Sequence, residues 1–177
     1  MKTALRTLVP ILLATSLLAA CGGGDDEGFV VEEKDPSPSG QPASMTVAGA
    51  TGPEATYNGA YSTTDIYLSD VVKVNPIGGS PETCRFRFSN LPQVTNAARG
   101  MTGDIRYIPG SAELNVAFIS IDGTEFSIEG TTNAVSVNRA TNRVAFTLAR
   151  LASTQGTGRS IQLTGEIPMR GDRPEGC

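Results

Sequence analysis

From Met45 onward the apolar residues recur at every second position, and a period of two sends alternate side chains to opposite faces of a strand. Ile66, Leu68, Val72 and Val74 share one parity, and Cys84, Phe86 and Phe88 face away from Arg85 and Arg87. The same alternation runs through Leu114, Val116 and Phe118, through Phe126 and Ile128, and through Val135 and Val137. It returns in Val144, Phe146 and Leu148 and in Ile161 and Leu163. No window of helical length carries a convincing 3.6-residue repeat. The pattern predicts antiparallel strands with one face dry and the other wet.

Turn chemistry falls between these runs. Asp122-Gly123 is the pair favoured in a two-residue hairpin, and residues 138–142 and Gly156-Thr157-Gly158 make longer loops. With Ile105 to Ile108 and Tyr57 to Tyr61 added, eight or nine short strands follow one another without crossover helices. The expected class is all-β: one antiparallel β-sandwich or up-and-down β-barrel of about eight strands, which periodicity alone does not separate. Phe86, Phe88, Phe126 and Phe146 fall on inward faces, and their bulk predicts a filled interior rather than an open cup.

The first twenty residues are of another kind. Lys2 and Arg6 precede an apolar run containing Leu8, Val9, Ile11, Leu12, Leu13, Leu17 and Leu18, the layout of a secretory signal. The run is shorter than the roughly 20 apolar residues a membrane span needs. It ends in Leu18-Ala19-Ala20-Cys21, which resembles the lipobox of bacterial lipoproteins. That resemblance covers only the N-terminal region. It implies removal of residues 1–20, a diacylglycerol thioether on Cys21 and a third acyl chain on its amine. Two or more chains anchor stably where one anchors marginally. In that class an aspartate after the cysteine marks inner-membrane retention, so Gly22 implies the outer membrane.

Residues 21–44 read as the lipidated cysteine and a flexible acidic, proline-rich tether, and residues 45–177 as the β domain. Gly22 to Glu27, Glu32 to Asp35 and Pro36 to Pro42 bury too little apolar surface to offset their ordering entropy, with Phe29-Val30-Val31 the one apolar island. Such a tether reaches about 25 to 30 Å on average. Without Lys2 and Arg6 the chain keeps 12 basic and 18 acidic residues. Six of those acids sit in the tether against Lys34 alone, which leaves the domain nearly neutral. No basic stripe of the kind nucleic acid requires is present.

The chain has no histidine, which excludes a Ser-His-Asp triad, a Cys-His dyad and a His-ligated zinc site. No catalytic residue, cofactor or metal site is assigned. After lipidation of Cys21, Cys84 and Cys177 are the only thiols, and export to an oxidising compartment predicts a disulfide between them. Asp70 breaks the strand pattern by sharing the parity of Ile66 and Leu68; a β-bulge at Ser69-Asp70 would turn it outward, and a buried carboxylate would mark a functional site. Asp65, Asp70, Asp104 and Asp122 form no calcium-loop pattern. Arg170-Gly171-Asp172 matches an adhesion tripeptide but lies in a polar tail where a turn is the plain reading, and Tyr57, Tyr61, Tyr67 and Tyr107 read as strand formers.

The functional expectation is an outer-membrane-anchored lipoprotein with a non-enzymatic, periplasm-facing β domain that binds an envelope protein or has a structural role. Its alternative is a lipocalin-like carrier of a small apolar ligand. Interior volume separates the two.

Overall fold

The computed structural model describes residues 34–75, 78–130 and 133–177. Every described strand lies in one compact unit, Val31–Cys177. The strands are β1 (Ser37–Pro38), β2 (Ala43–Ala48), β3 (Gly59–Thr63), β4 (Tyr67–Leu68), β5 (Val72–Val74), β6 (Thr83–Gln93), β7 (Asn96–Tyr107), β8 (Leu114–Ile121), β9 (Thr124–Glu129), β10 (Val135–Asn138), β11 (Arg143–Ser153) and β12 (Ser160–Pro168). A 3-10 helix, Gly52–Tyr57, joins β2 to β3 where the sequence pattern suggests the start of a strand.

Eight of these strands close a barrel. They neighbour one another in the order β6-β3-β2-β12-β11-β9-β8-β7, and β7 pairs back onto β6, every pairing antiparallel. Of the two architectures open to the sequence, the chain adopts the barrel. It is not a plain up-and-down barrel: between β3 and β6 the chain makes β4 and β5, which lie on β6, and between β9 and β11 it makes β10, which lies on β11.

The interior is packed with side chains. Met45, Tyr61, Phe86, Phe88, Leu91, Met101, Ile105, Tyr107, Phe126 and Phe146 are all but fully buried, so the four inward phenylalanines lie where their parity puts them. The tight hairpin also forms as its residues demand, with Asp122 at φ 48° and Gly123 at φ 79° between β8 and β9.

Parity fails wherever a strand bulges. In β11 the ladder runs from Phe146↔Gly165 to Ala149↔Leu163, so Thr147 and Leu148 face one residue of β12. Leu148 adopts φ 50° and is 63% exposed instead of sharing the core with Val144 and Phe146, which Ala149 and Leu151 join in its place. Its amide finds a partner in the Thr164 hydroxyl, which holds the bulge. At Ser69-Asp70 the Ser69 hydroxyl accepts the Arg87 amide and the phase slips, so Val71 is buried while Val72 and Val74 are half-buried. In β8 a register shift at Arg106/Tyr107 places Phe118 outside and Ala117, Ile119 and Ile121 inside.

The domain begins before Met45. Ala43 and Ser44 belong to β2, and Ser37 and Pro38 pair with β4. The Asp65 carboxylate accepts the amides of Ser39 and Gly40, and Arg170 grips Ser37. Proline-rich composition hides this docking because side chains of distant residues supply the bonds.

The ring has a pseudo-two-fold relation along the barrel axis. Four neighbours, β6, β7, β8 and β9, are followed by four more, β11, β12, β2 and β3, with β7 running directly into β8 while their counterparts β12 and β2 lie at opposite ends of the chain. Phe88 pairs with Gly103 as Phe146 pairs with Gly165; each phenylalanine is followed by a bulge, Ser89-Asn90 or Thr147-Leu148, whose second residue has φ 60° or 50°. Onward, Gly103 pairs with Ile119 and Ile119 with Phe126, as Gly165 pairs with Met45 and Met45 with Tyr61. The duplicated signature is visible in sequence as Met101-Thr102-Gly103-Asp104-Ile105 against Leu163-Thr164-Gly165-Glu166-Ile167.

Candidate functional site

One end of the barrel is stoppered by the 3-10 helix. Gln93 donates to the carbonyls of Thr56 and Asn58, and the Tyr61 hydroxyl donates to Tyr57 O. Arg99 bonds Asp122 at 2.6 Å and lies 5.3 Å from the Tyr57 ring centroid. Glu54 is buried and ion-paired with Arg159 of the β11–β12 loop. Burial pushes the Tyr61 hydroxyl up to about 12, and the hydrogen bond to Asp122 raises Arg99 further. This network ties the helix to the wall.

The C-terminal segment seals the other end. A disulfide joins Cys84 of β6 to Cys177, both buried, and the Tyr107 hydroxyl donates to Cys177 O at 2.8 Å. Burial raises Tyr107. Arg173 reaches Asn142 and Arg139 O, while Arg139 reaches Gly176 O.

The residues singled out from sequence do not converge. Asp70 is half-exposed on the outer wall, 3.7 Å from both Lys34 and Arg170. Arg170 also donates to Leu68 O and Ser37, which commits the arginine of the Arg-Gly-Asp tripeptide to holding the fold. Asp65, Asp104 and Asp122 are each engaged as described or by arginine, and no metal-binding group of three ligands occurs among the described residues. The four tyrosines form no patch: Tyr61 and Tyr107 are buried, Tyr57 and Tyr67 half-buried. Cys21 lies outside the described residues.

Among the described residues, grooves open on the outer wall. One groove, about 860 Å³, is open to solvent and lined by Pro42, Ala43, Ser44, Ser62, Thr63, Thr64, Gly165 and Glu166. Register explains its composition, since Glu166 pairs with Ser44 and Ser44 with Ser62, which sets these three side by side on the wet face. Gly165 is required there: at φ 141°, a Cβ would stand 2.3 Å from Ser44 O. The groove sets one carboxylate and several hydroxyls among small residues, and more of its surface is apolar than polar.

The groove has a counterpart on the opposite wall. The row Arg87, Asp104, Phe118, Ser127 occupies the positions of Ala145, Glu166, Ser44, Ser62, and Arg85 and Arg106 stand where Arg143 and Pro168 do. Asp104 there takes Arg85 at 2.5 Å and Arg106 at 3.1 Å, and Arg106 lies 5.7 Å from the Phe118 ring centroid. Long side chains therefore narrow the counterpart on that wall to about 320 Å³, against about 860 Å³ where short ones stand. Parity reasoning does not find Glu166, because it lies among unremarkable hydroxyl residues; the repeated Thr-Gly-acid signature is the signal that does. No family model matches the chain, and neither a curated protein nor a solved structure matches it.

Proposed function

We propose that the chain is a bacterial outer-membrane lipoprotein, anchored through Cys21, whose periplasm-facing barrel acts by surface contact with an envelope partner and not by catalysis. The observation that carries this reading is the packed interior. Phe86, Phe88, Phe126 and Phe146 meet Met45, Tyr61 and Met101 inside the barrel, each 2% exposed or less, while the grooves among the described residues open on the outside. A carrier of an apolar molecule needs an enclosed volume of some 300 Å³ or more, so the packing favours surface contact over the lipocalin-like alternative. The chain's lack of histidine and the pairing of Asp70 and Asp104 with arginine weigh against acid-base chemistry.

Two measurements test it. Labelled palmitate supplied to a bacterial host should enter the wild-type chain and not the Cys21→Ser variant, and the labelled protein should fractionate with the outer membrane. Native mass spectra of the gently purified chain should show the polypeptide mass alone. An unlabelled wild type overturns the anchor, and a co-purifying apolar molecule lost on organic extraction overturns surface contact in favour of the carrier.

A further inference from the structure

We infer that the groove between β2, β3 and β12 is a docking site for an arginine side chain of a partner polypeptide, with Glu166 as the acceptor of its guanidinium. The inference deepens the surface-contact reading and rests on it.

The barrel supplies its own precedent. Asp104, at the equivalent position, is met by two guanidiniums, one of them lying beside an aromatic ring. Around Glu166 one guanidinium and the ring are replaced by something shorter, Pro168 for Arg106 and Ser44 for Phe118, and Ala145 stands where Arg87 does. Arg143 keeps the place of Arg85 but directs its Nη1 to Pro42 O at 3.2 Å. Glu166 is thus exposed and forms no ion pair among the described residues, in a groove that long side chains narrow to about 320 Å³ in the other half. It is also one methylene longer than Asp104 and reaches further out.

The chemistry of the lining selects the ligand. A guanidinium presents five N–H donors in a plane, two of which fit one carboxylate side by side. The hydroxyls of Ser44, Ser62, Thr63 and Thr64 offer acceptors for the rest. An ammonium has three donors and no plane to match. At about 860 Å³ the groove exceeds what one side chain fills, leaving room for the residues flanking the arginine, which points to a polypeptide as the source.

The test uses the oxidised, isotope-labelled chain from Gly22 onward and the blocked peptides Ala-Arg-Ala, Ala-Lys-Ala and Ala-citrulline-Ala, the last a neutral isostere. Titration of the arginine peptide should move the amide resonances of Ser44, Ser62, Thr63 and Gly165 to saturation. Affinity should fall at least tenfold for citrulline and at least tenfold in Glu166→Gln, with lysine between. Ser44→Phe, which installs the counterpart of Phe118, should block the site; should that variant fail to fold, the citrulline and Glu166→Gln arms still decide. Equal binding of citrulline, indifference to Glu166→Gln, or no saturable shift overturns the inference. Those outcomes are distinct from loss of the surface-contact reading itself, which the co-purified apolar molecule would announce.

Discussion

Replacing Gly103 with alanine places a methyl group where the Phe88 ring already lies. An ideal Cβ would stand 2.3 Å from Phe88 Cε1, 2.8 Å from Cζ and 3.0 Å from Ile119 Cδ1, all inside contact distance. Phe88 is 1% exposed in a packed interior, so the ring has no vacant rotamer to enter, and overpacking of this kind costs about 1–3 kcal/mol. Because the obstacle is a side chain, it can be removed: Phe88→Leu alone should cost about 1–2 kcal/mol as a cavity. The double variant should then be more stable than the sum of the two losses by at least about 0.5 kcal/mol. Equilibrium urea unfolding of the oxidised protein measures all four corners of the cycle, with midpoint shifts on the order of 1 M for the single variants. The pseudo-symmetric position sharpens the test. A Cβ at Gly165 would stand 2.3 Å from Ser44 O and 2.8 Å from Met45 Cα, both backbone, so trimming Phe146 should rescue nothing in Gly165→Ala. Strict additivity at Gly103, or rescue at Gly165, would refute the account of how the ring and the glycines fit.

Removing the disulfide by a joint Cys84→Ala and Cys177→Ala substitution releases a cross-link spanning 93 residues; in the chain-entropy model this costs about 4–5 kcal/mol, read as a lower urea midpoint and a steeper denaturant slope as the unfolded chain expands. Tyr107→Phe, which loses only the bond to Cys177 O, should cost about 1–2 kcal/mol in the same assay. Tyr61 titrates near 10 when unfolded and at about 12 when folded, so its contribution is complete below pH 10 and is lost as pH rises toward 12; unfolding titrations of Tyr61→Phe should show a shallower alkaline decline than wild type.

The strand class, the tight hairpin and the inward phenylalanines were legible in the sequence because each depends on local chemistry. Alternation states the period, Asp122-Gly123 supplies two left-handed residues, and bulk follows the dry face. Leu148, Val72, Val74 and Phe118 were not legible, because a bulge reverses the phase and is fixed by a partner strand, as the Thr164 hydroxyl fixes Leu148. The docked segment at Ser37 was hidden for a like reason, its bonds coming from Asp65 and Arg170. The repeat is hidden in the sequence because its halves differ in hairpin length: Phe88 precedes its glycine partner by 15 residues and Phe146 by 19, so no single offset aligns them. Glu166 became visible only as a difference between those halves.

That difference also separates a structural carboxylate from a binding one without any ligand. Asp104 is half-buried between Arg85 and Arg106, and its side chain is 17% exposed. Asp104→Asn keeps the shape but leaves two guanidiniums close together with a neutral acceptor; charge-assisted bonds contribute about 1.5–3 kcal/mol, so a loss of that order is expected. The pair geometry is partly screened by solvent, which places the result toward the lower end. Glu166 stands exposed in its groove with no ion pair among the described residues, so Glu166→Gln should change stability by no more than about 0.5 kcal/mol. Thermal or urea unfolding of the two variants side by side makes the comparison. Equal, substantial losses would mean that Glu166 holds the wall together as Asp104 does, and the groove would then be an accident of packing. A loss confined to Asp104 leaves Glu166 a carboxylate that stability does not require, on the wall where the repeat has given up its long side chains.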